Sequence, residues 1–351
     1  MKQAVSKLPL WSWTLPVFGL ALSLLWGDGA PALLVTAGLL GAVFAAVHHA
    51  ETVAQRLGEP FGTLVLALSV TVLEAGMIVS IMLGGDSPTV ARDSIFAALM
   101  IALNGILGLC LVLGGVRHFA QSFRPVAANA LLVVLMPLAV LTLVLPSYTT
   151  STPGPVFSPP QLVFVSIIAL ALYALFLYVQ LVRHKSDFMV DHGLHGEPPT
   201  RAAAWLAFLL LCVALLVVIL LAKKLSPTLE SGVAAIGAPL AVVGIVIAAI
   251  VLLPEGITAV KAAAGNNLQT ALNLALGSIV ACVGLTIPAV AGVALWLGEP
   301  LHLGLSQSMT VLLGLTFLLL AVTLGSGRTT VLEGTVHLAV FAVFLIFSFL
   351  P

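Results

Sequence analysis

Residues 61–84 read FGTLVLALSVTVLEAGMIVSIMLG, an apolar run in which Glu74 is the only ionisable side chain. A run of that length is read as a membrane-crossing helix, since about 20 helical residues span the ~30 Å of hydrocarbon in a bilayer. A charge near the middle of such a helix costs at least about 2.5–3.5 kcal/mol and is a functional residue by default. A second stretch, Ile250-Val-Leu-Leu-Pro-Glu-Gly-Ile-Thr258, repeats the arrangement around Glu255, about one turn from the end of its predicted span.

The rest of the chain agrees with a membrane protein. Of 351 residues, 61% are apolar and only 7% are charged, whereas soluble globular chains carry about a quarter charged residues. Mean hydropathy is +1.21. That excludes a soluble enzyme and a disordered chain. The 13 basic residues are cancelled by 13 acidic ones, which excludes a nucleic-acid binder. Cys110, Cys212 and Cys282 each lie inside apolar runs and form neither a disulfide framework nor a metal cluster.

Polar and Pro/Gly breaks divide the chain into eleven predicted spans. They lie near 10–27, 30–50, 61–84, 94–116, 126–147, 160–183, 202–222, 234–258, 270–296, 303–324 and 330–350. The first has signal-peptide features, with Lys2 and Lys7 ahead of it and Ala30-Pro31-Ala32 after it. Its length favours a retained helix. The fold class is therefore an all-α polytopic membrane protein. With the N-terminus inside, the inner segments hold Lys2, Lys7, Arg56, Arg117, Arg124, Arg183, Lys185, Arg201, Lys261 and Arg328, against Arg92, Lys223 and Lys224 outside. That bias places the N-terminus in the cytoplasm and the C-terminus outside. The five tryptophans fall near span ends as interface anchors.

The two glutamates sit in matching frames. Pro60 of Gly58-Glu59-Pro60 precedes Glu74 by 14 residues, and Pro239 of Gly237-Ala238-Pro239 precedes Glu255 by 16. The helices that follow align Ile101-Ala-Leu-Asn-Gly-Ile106 with Leu274-Ala-Leu-Gly-Ser-Ile279, so Asn104-Gly105 matches Gly277-Ser278. The expected organisation is a lone helix (1–28), a five-helix repeat (29–183), a polar cytoplasmic connector (184–201) and a second five-helix repeat (202–351). The connector is His/Asp/Glu-rich and reads as a solvated tether. An offset of five helices makes the two repeats enter the membrane in opposite senses, the pattern of secondary transporters with a midplane site.

Two carboxylates brought together at the midplane have two neutral states. They hold one divalent cation, or each holds a proton. The bare dianion is disfavoured by desolvation and like-charge repulsion. Cation and proton then exclude one another, which yields an antiporter if only the neutral forms reorient. Hard cations take oxygen ligands, and the candidates beside the glutamates are Ser69, Thr71, Asn104, Thr258, Asn273 and Ser278. Pro254 lacks an N–H and frees a carbonyl in the preceding turn as a further ligand.

On these residues the chain resembles the calcium/cation antiporter superfamily, specifically its cation/proton exchanger family in the bacterial ChaA-type branch of calcium/proton antiporters. The resemblance covers the whole chain. Its most specific part is Ala50-Glu-Thr-Val-Ala-Gln-Arg-Leu-Gly-Glu-Pro-Phe-Gly62 leading at fixed spacing into Glu74. It implies that Glu74 and Glu255 are the paired cation-binding glutamates, with calcium exported against inward proton flow and no resident cofactor. Where the family motif has Gly-Asn, this chain has Val70-Thr71 and Val251-Leu252. Two carboxamide ligands are absent, which leaves room for sodium or potassium in the same site.

Other polar residues have smaller expected roles. His48, His49 and Glu51 fall at the end of the second span, where His49 and Glu51 form a proton relay or a pH sensor. Glu59 caps or lines the cytoplasmic mouth. Glu333 and His337 are four apart and read as a structural pair. Asp28, Asp86, Asp93, Glu230 and Glu299 are placed in or near external loops, where Asp93 and Glu230 are candidates for attracting cations. An intramembrane hydrolase has little support, since no Gly-x-Ser-x-Gly elbow occurs and His337 is the only histidine well inside a span.

Overall fold

The protein is described by a computed structural model covering residues 9–26, 31–58, 61–83, 88–183 and 199–350. Its helices in chain order begin with α1 (Leu10–Leu25), α2 (Ala32–Leu57) and α3 (Phe61–Met82). Next come α4 (Val90–His118), α5 (Pro125–Tyr148) and α6 (Pro159–Arg183). The remainder are α7 (Arg201–Ala235), α8 (Ala241–Ala264), α9 (Leu268–Leu297), α10 (Gln307–Gly325) and α11 (Val331–Phe349). Among the described residues ten of these, α2 to α11, are long and apolar enough to cross a membrane, and α1 is a shorter apolar helix. The all-helical membrane architecture expected from the sequence is the one found.

In hydrocarbon a backbone polar group has no water to turn to, so apolar runs close their own hydrogen bonds as helices. Polar residues collect at the ends, where the first N–H groups are left over. Thr200 Oγ1 accepts from Ala203 N at 3.2 Å, and Asn267 Oδ1 from Thr270 N at 3.2 Å. Ser158 with Gln161 and Thr330 with Glu333 form capping boxes at the starts of α6 and α11.

Three predicted helices are corrected, the first being α2, which runs to Leu57 rather than ending near 50. Helix α7 runs to Ala235 rather than ending near 222, so Lys223, Lys224 and Glu230 lie within it, not in a loop. Nothing between 223 and 235 stops it, Pro227 included. The break comes at Gly237, whose φ of 69° suits a residue without Cβ. Helix α8 then starts at Ala241 and continues to Ala264, not 258. Lys261 does not end it, because a cation in the last turn complements the carbonyl end of the helix dipole.

The helices group into two compact units. One comprises α1, α2, α3 and α7. In it α3 lies against α7, with Gly76 beside Ile219 and Ser80 Oγ donating to Ile219 O at 3.3 Å.

The other unit comprises α4–α6 and α8–α11. Helix α4 contains a π turn at Ile101–Ile106 and α9 another at Cys282–Thr286. A Cβ on Gly244 of α8 would stand 2.8 Å from Ser94 N of α4. A Cβ on Gly334 of α11 would stand 2.6 Å from Val112 N and 2.8 Å from Gly108 O. Helix α4 is thus closely packed on two sides. Strands β1 (Gln121–Ser122) and β2 (Arg328–Thr329) pair antiparallel between the loops that follow α4 and α10.

Candidate functional site

Glu74 and Glu255 are set at matching depths in their helices. Glu74 lies eight residues before Met82, the end of α3, and Glu255 nine before Ala264, the end of α8. At 1.5 Å per residue both are about 12–14 Å from those ends. Glu255 is therefore deeper than the sequence suggested, because α8 outlasts its predicted end. Glu74 is 7% exposed, and Glu255 is half-buried.

Beside Glu74, Thr71 is one turn back on α3 and Ser69 five residues back, both buried. Ser69 Oγ donates to Val65 O at 2.7 Å and Thr71 Oγ1 to Ala67 O at 2.9 Å. Such bonds use the hydroxyl proton and leave oxygen lone pairs to meet a cation. Thr258, one turn beyond Glu255, does the same by donating to Pro254 O at 3.0 Å, although it is exposed. Helix α9 turns back along α8. Counting nine residues from Leu268 brings Gly277 and Ser278 to the level of Glu255. A Cβ on Gly277 would meet no atom within 4 Å. Asn273, half-buried on the same helix, accepts from Gln269 Nε2 at 2.9 Å.

Asn104 is fully buried in the π turn of α4, with its amide turned to α10 and α11. Nδ2 donates to Thr316 Oγ1 at 2.9 Å, and Oδ1 stands 3.1 Å from His337 Nδ1. The expected Glu333–His337 pair is not what holds either residue. Glu333 Oε2 accepts from Thr330 N at 2.9 Å and Thr330 Oγ1 at 2.6 Å, capping α11. His337 turns inward instead, and sequence reading missed its link to Asn104.

His49 is likewise fully buried, and its Nε2 bonds to Ser12 O of α1 at 2.8 Å. His48 packs its ring 5.1 Å from that of Trp11, and Glu51 is half-buried on the same helix. These residues lie inside α2, which continues to Leu57, not at its end. Glu59, Asp28, Asp86 and most of the 184–201 connector lie outside the described residues. Asp93 is buried and paired with Arg92 at 2.8 Å, while Thr89 Oγ1 donates to its second oxygen at 2.8 Å. Glu230 accepts from Ser226 Oγ at 2.9 Å within α7.

One positioning device gave no signal in the sequence. The carbonyl end of α8 is clamped from the segment that closes α4. Gln121 Nε2 donates to Ala263 O at 2.9 Å, His118 Nε2 bonds to Ala264 O at 3.2 Å, and Arg117 reaches the same oxygen at 3.5 Å. Donors and a cation at a helix C-terminus satisfy its last carbonyls and complement its dipole. The helix that carries Glu255 is thereby held at its end.

Comparison with known proteins adds a family. Residues 30–182 and 206–350 match the sodium/calcium exchanger protein family. The chain is 49% identical over 358 residues to y4hA of Sinorhizobium fredii, a protein named as an ionic transporter, covering 99% of this chain and 98% of that one. It is 35% identical over 350 residues to the sodium-potassium/proton antiporter ChaA of Escherichia coli, covering 95% and 94%. Among solved structures, native YfkE superposes with a TM-score of 0.76 at 19% identity, covering 97% of this chain and 100% of that one. The H+/Ca2+ exchanger CAX gives 0.71 at 15% identity, covering 98% and 87%. These two likenesses show a shared fold.

Proposed function

The chain belongs to the sodium/calcium exchanger family, and from that premise we propose that it exchanges a cation for protons at Glu74 and Glu255. It is an integral membrane protein and a secondary transporter, not an enzyme. The observation that carries the reading is the matched depth of two carboxylates in two membrane-spanning helices, each with a hydroxyl one turn away. A carboxylate so placed is stable when it holds a cation or a proton and poor when it holds neither. Two protons therefore replace one divalent ion. The hydroxyls of Ser69, Thr71, Thr258 and Ser278 and the amide oxygen of Asn273 complete an oxygen ligand set. His49 and Glu51 serve proton uptake.

The proposed organisation is two inverted repeats, 29–183 and 202–351, in an inner membrane with the N-terminus inside. Calcium is the cargo that matches the charge of the glutamate pair. A second reading, sodium or potassium in the same site, is supported by Thr71 and Leu252, which stand where the family motif has asparagine. The name of the ChaA relative points the same way.

Everted vesicles loaded with acid test both. Proton release on adding calcium alone supports the first reading, and release with sodium or potassium alone supports the second. No release with any of the three overturns cation/proton exchange. If the absent carboxamides set the selectivity, Thr71→Asn with Leu252→Asn raises calcium affinity about tenfold or more, the scale of charge-assisted ligand contacts. A double variant with the parent's calcium half-saturation contradicts that account.

A further inference from the structure

Helix α11 carries a histidine, His337, that the exchange reading leaves unused and that is fully buried. Its hydrogen bonds define its state. Thr316 Oγ1 donates to Leu312 O at 2.8 Å, so its oxygen accepts from Asn104 Nδ2 at 2.9 Å. With Nδ2 committed, Asn104 offers Oδ1 to His337 Nδ1 at 3.1 Å. The ring therefore carries its proton on Nδ1, and Nε2 accepts from Thr323 Oγ1 at 3.2 Å. Thr316, Asn104, His337 and Thr323 are all at most 1% exposed. Asn104 Nδ2 and Thr316 Oγ1 also each stand 3.7 Å from Met100 Sδ, and the bonds tie α10 and α11 to the π turn of α4.

A π turn takes in one residue more than an α turn. The residues beyond it are therefore rotated by about 100° from where an unbroken α-helix would put them. Here the turn sends Asn104 toward α10 and α11 and sets Gly105 where a Cβ would stand 3.3 Å from the Phe341 ring. Ile106 faces α8 instead, with its Cδ1 3.0 Å from where a Cβ on Gly256 would stand. Gly256 adjoins Glu255. π turns are uncommon and persist where surrounding contacts hold them, and the side-chain bonds that hold this one run through Asn104. The close approach of α11 to α4 at Gly334 and Gly108 brings His337 into reach.

We propose that His337 is a positioning residue for ion exchange, which by holding Asn104 keeps the π turn of α4 in place and, through Ile106, sets the backbone of α8 beside Glu255. The inference rests on the reading of Glu255 as an exchange residue. A histidine that only filled space would be replaceable by leucine. One that positions by hydrogen bonds is replaceable by glutamine, whose amide both donates and accepts.

The test uses full-length His337→Leu and His337→Gln in everted vesicles. It reads the half-saturating cation concentration separately from the maximal rate of proton release. The leucine variant is expected to raise half-saturation about tenfold, the scale of a buried bond lost with its partner left unsatisfied. The glutamine variant is expected to stay within about threefold of the parent. A merely structural defect lowers the amount of active protein, and with it the maximal rate, without moving half-saturation. If the leucine variant does not insert, Thr316→Val decides, since it removes the acceptor of Asn104 and shifts half-saturation in the same direction. Parent half-saturation in the deciding variant, or equal damage from leucine and glutamine, overturns the proposal. An active parent silenced by Glu255→Gln but indifferent to His337→Leu overturns this inference alone. A parent without cation-driven proton release overturns the exchange reading beneath it.

Discussion

Glu74→Gln and Glu255→Gln are each expected to abolish cation-driven proton release, by at least about a hundredfold, while the protein still inserts. Glutamine keeps the size and hydrogen-bonding reach of glutamate but can neither bind nor give up a proton. It also removes one of the two charges that neutralise a divalent ion. A two-carboxylate site therefore fails when either member is lost, and the single variants are as inactive as the double. Stability moves the other way. Glu74 is buried in a membrane-spanning helix, and a neutral amide is less costly there than a carboxylate. The thermal midpoint of Glu74→Gln in detergent is expected to match or exceed the parent's. Normal exchange by either single variant contradicts the paired site.

Gly244→Val is expected to prevent accumulation of folded protein, whereas Gly277→Ala is expected to be silent for folding. Both are helix glycines in the same compact unit, and their surroundings differ. A Cβ at Gly244 would lie 2.8 Å from Ser94 N and 2.9 Å from the carbonyl carbon of Asp93. Those are backbone atoms of a packed helix and cannot swing aside, so α8 must move off α4 as a body. Overpacking in a well-filled core costs about 1–3 kcal/mol, and a branched side chain against backbone belongs at the upper end. A Cβ at Gly277 meets nothing within 4 Å. The readouts are monodisperse yield and thermal midpoint in detergent. A Gly244→Val protein as stable as the parent shows that α8 does not pack on α4 this way.

Most helix boundaries were legible because membrane helices announce themselves by length and apolarity. The predicted 160–183 and 126–147 compare with Pro159–Arg183 and Pro125–Tyr148. The reading failed where polar residues sit inside helices. Lys223, Lys224 and Glu230 read as a loop, but such side chains are tolerated in the outer part of a long helix like α7. Ending α8 near 258 made Glu255 look shallow, and the true stop is the turn at Gly265-Asn266-Asn267. The glutamates themselves stood out, being carboxylates in apolar runs. Asn104 also stood out, but its partners did not. Thr316 and His337 are 212 and 233 residues away in sequence, and no local pattern foretells which of its neighbours a buried amide will choose. The π turns left no visible mark either, since they arise from packing between helices. Helical spacing placed Glu333 opposite His337, yet the free N–H groups at the start of α11 claimed the carboxylate first.

The central claim is that cation and protons compete for Glu74 and Glu255, and proton release on binding measures this most directly. Purified protein in weakly buffered detergent solution is titrated with calcium, sodium or potassium while pH is followed. The account predicts that the transported cation displaces protons, about two per protein for a divalent ion, and that Glu74→Gln or Glu255→Gln lowers the number released. A cation that binds with no proton released, or an undiminished release from both glutamine variants, would contradict it.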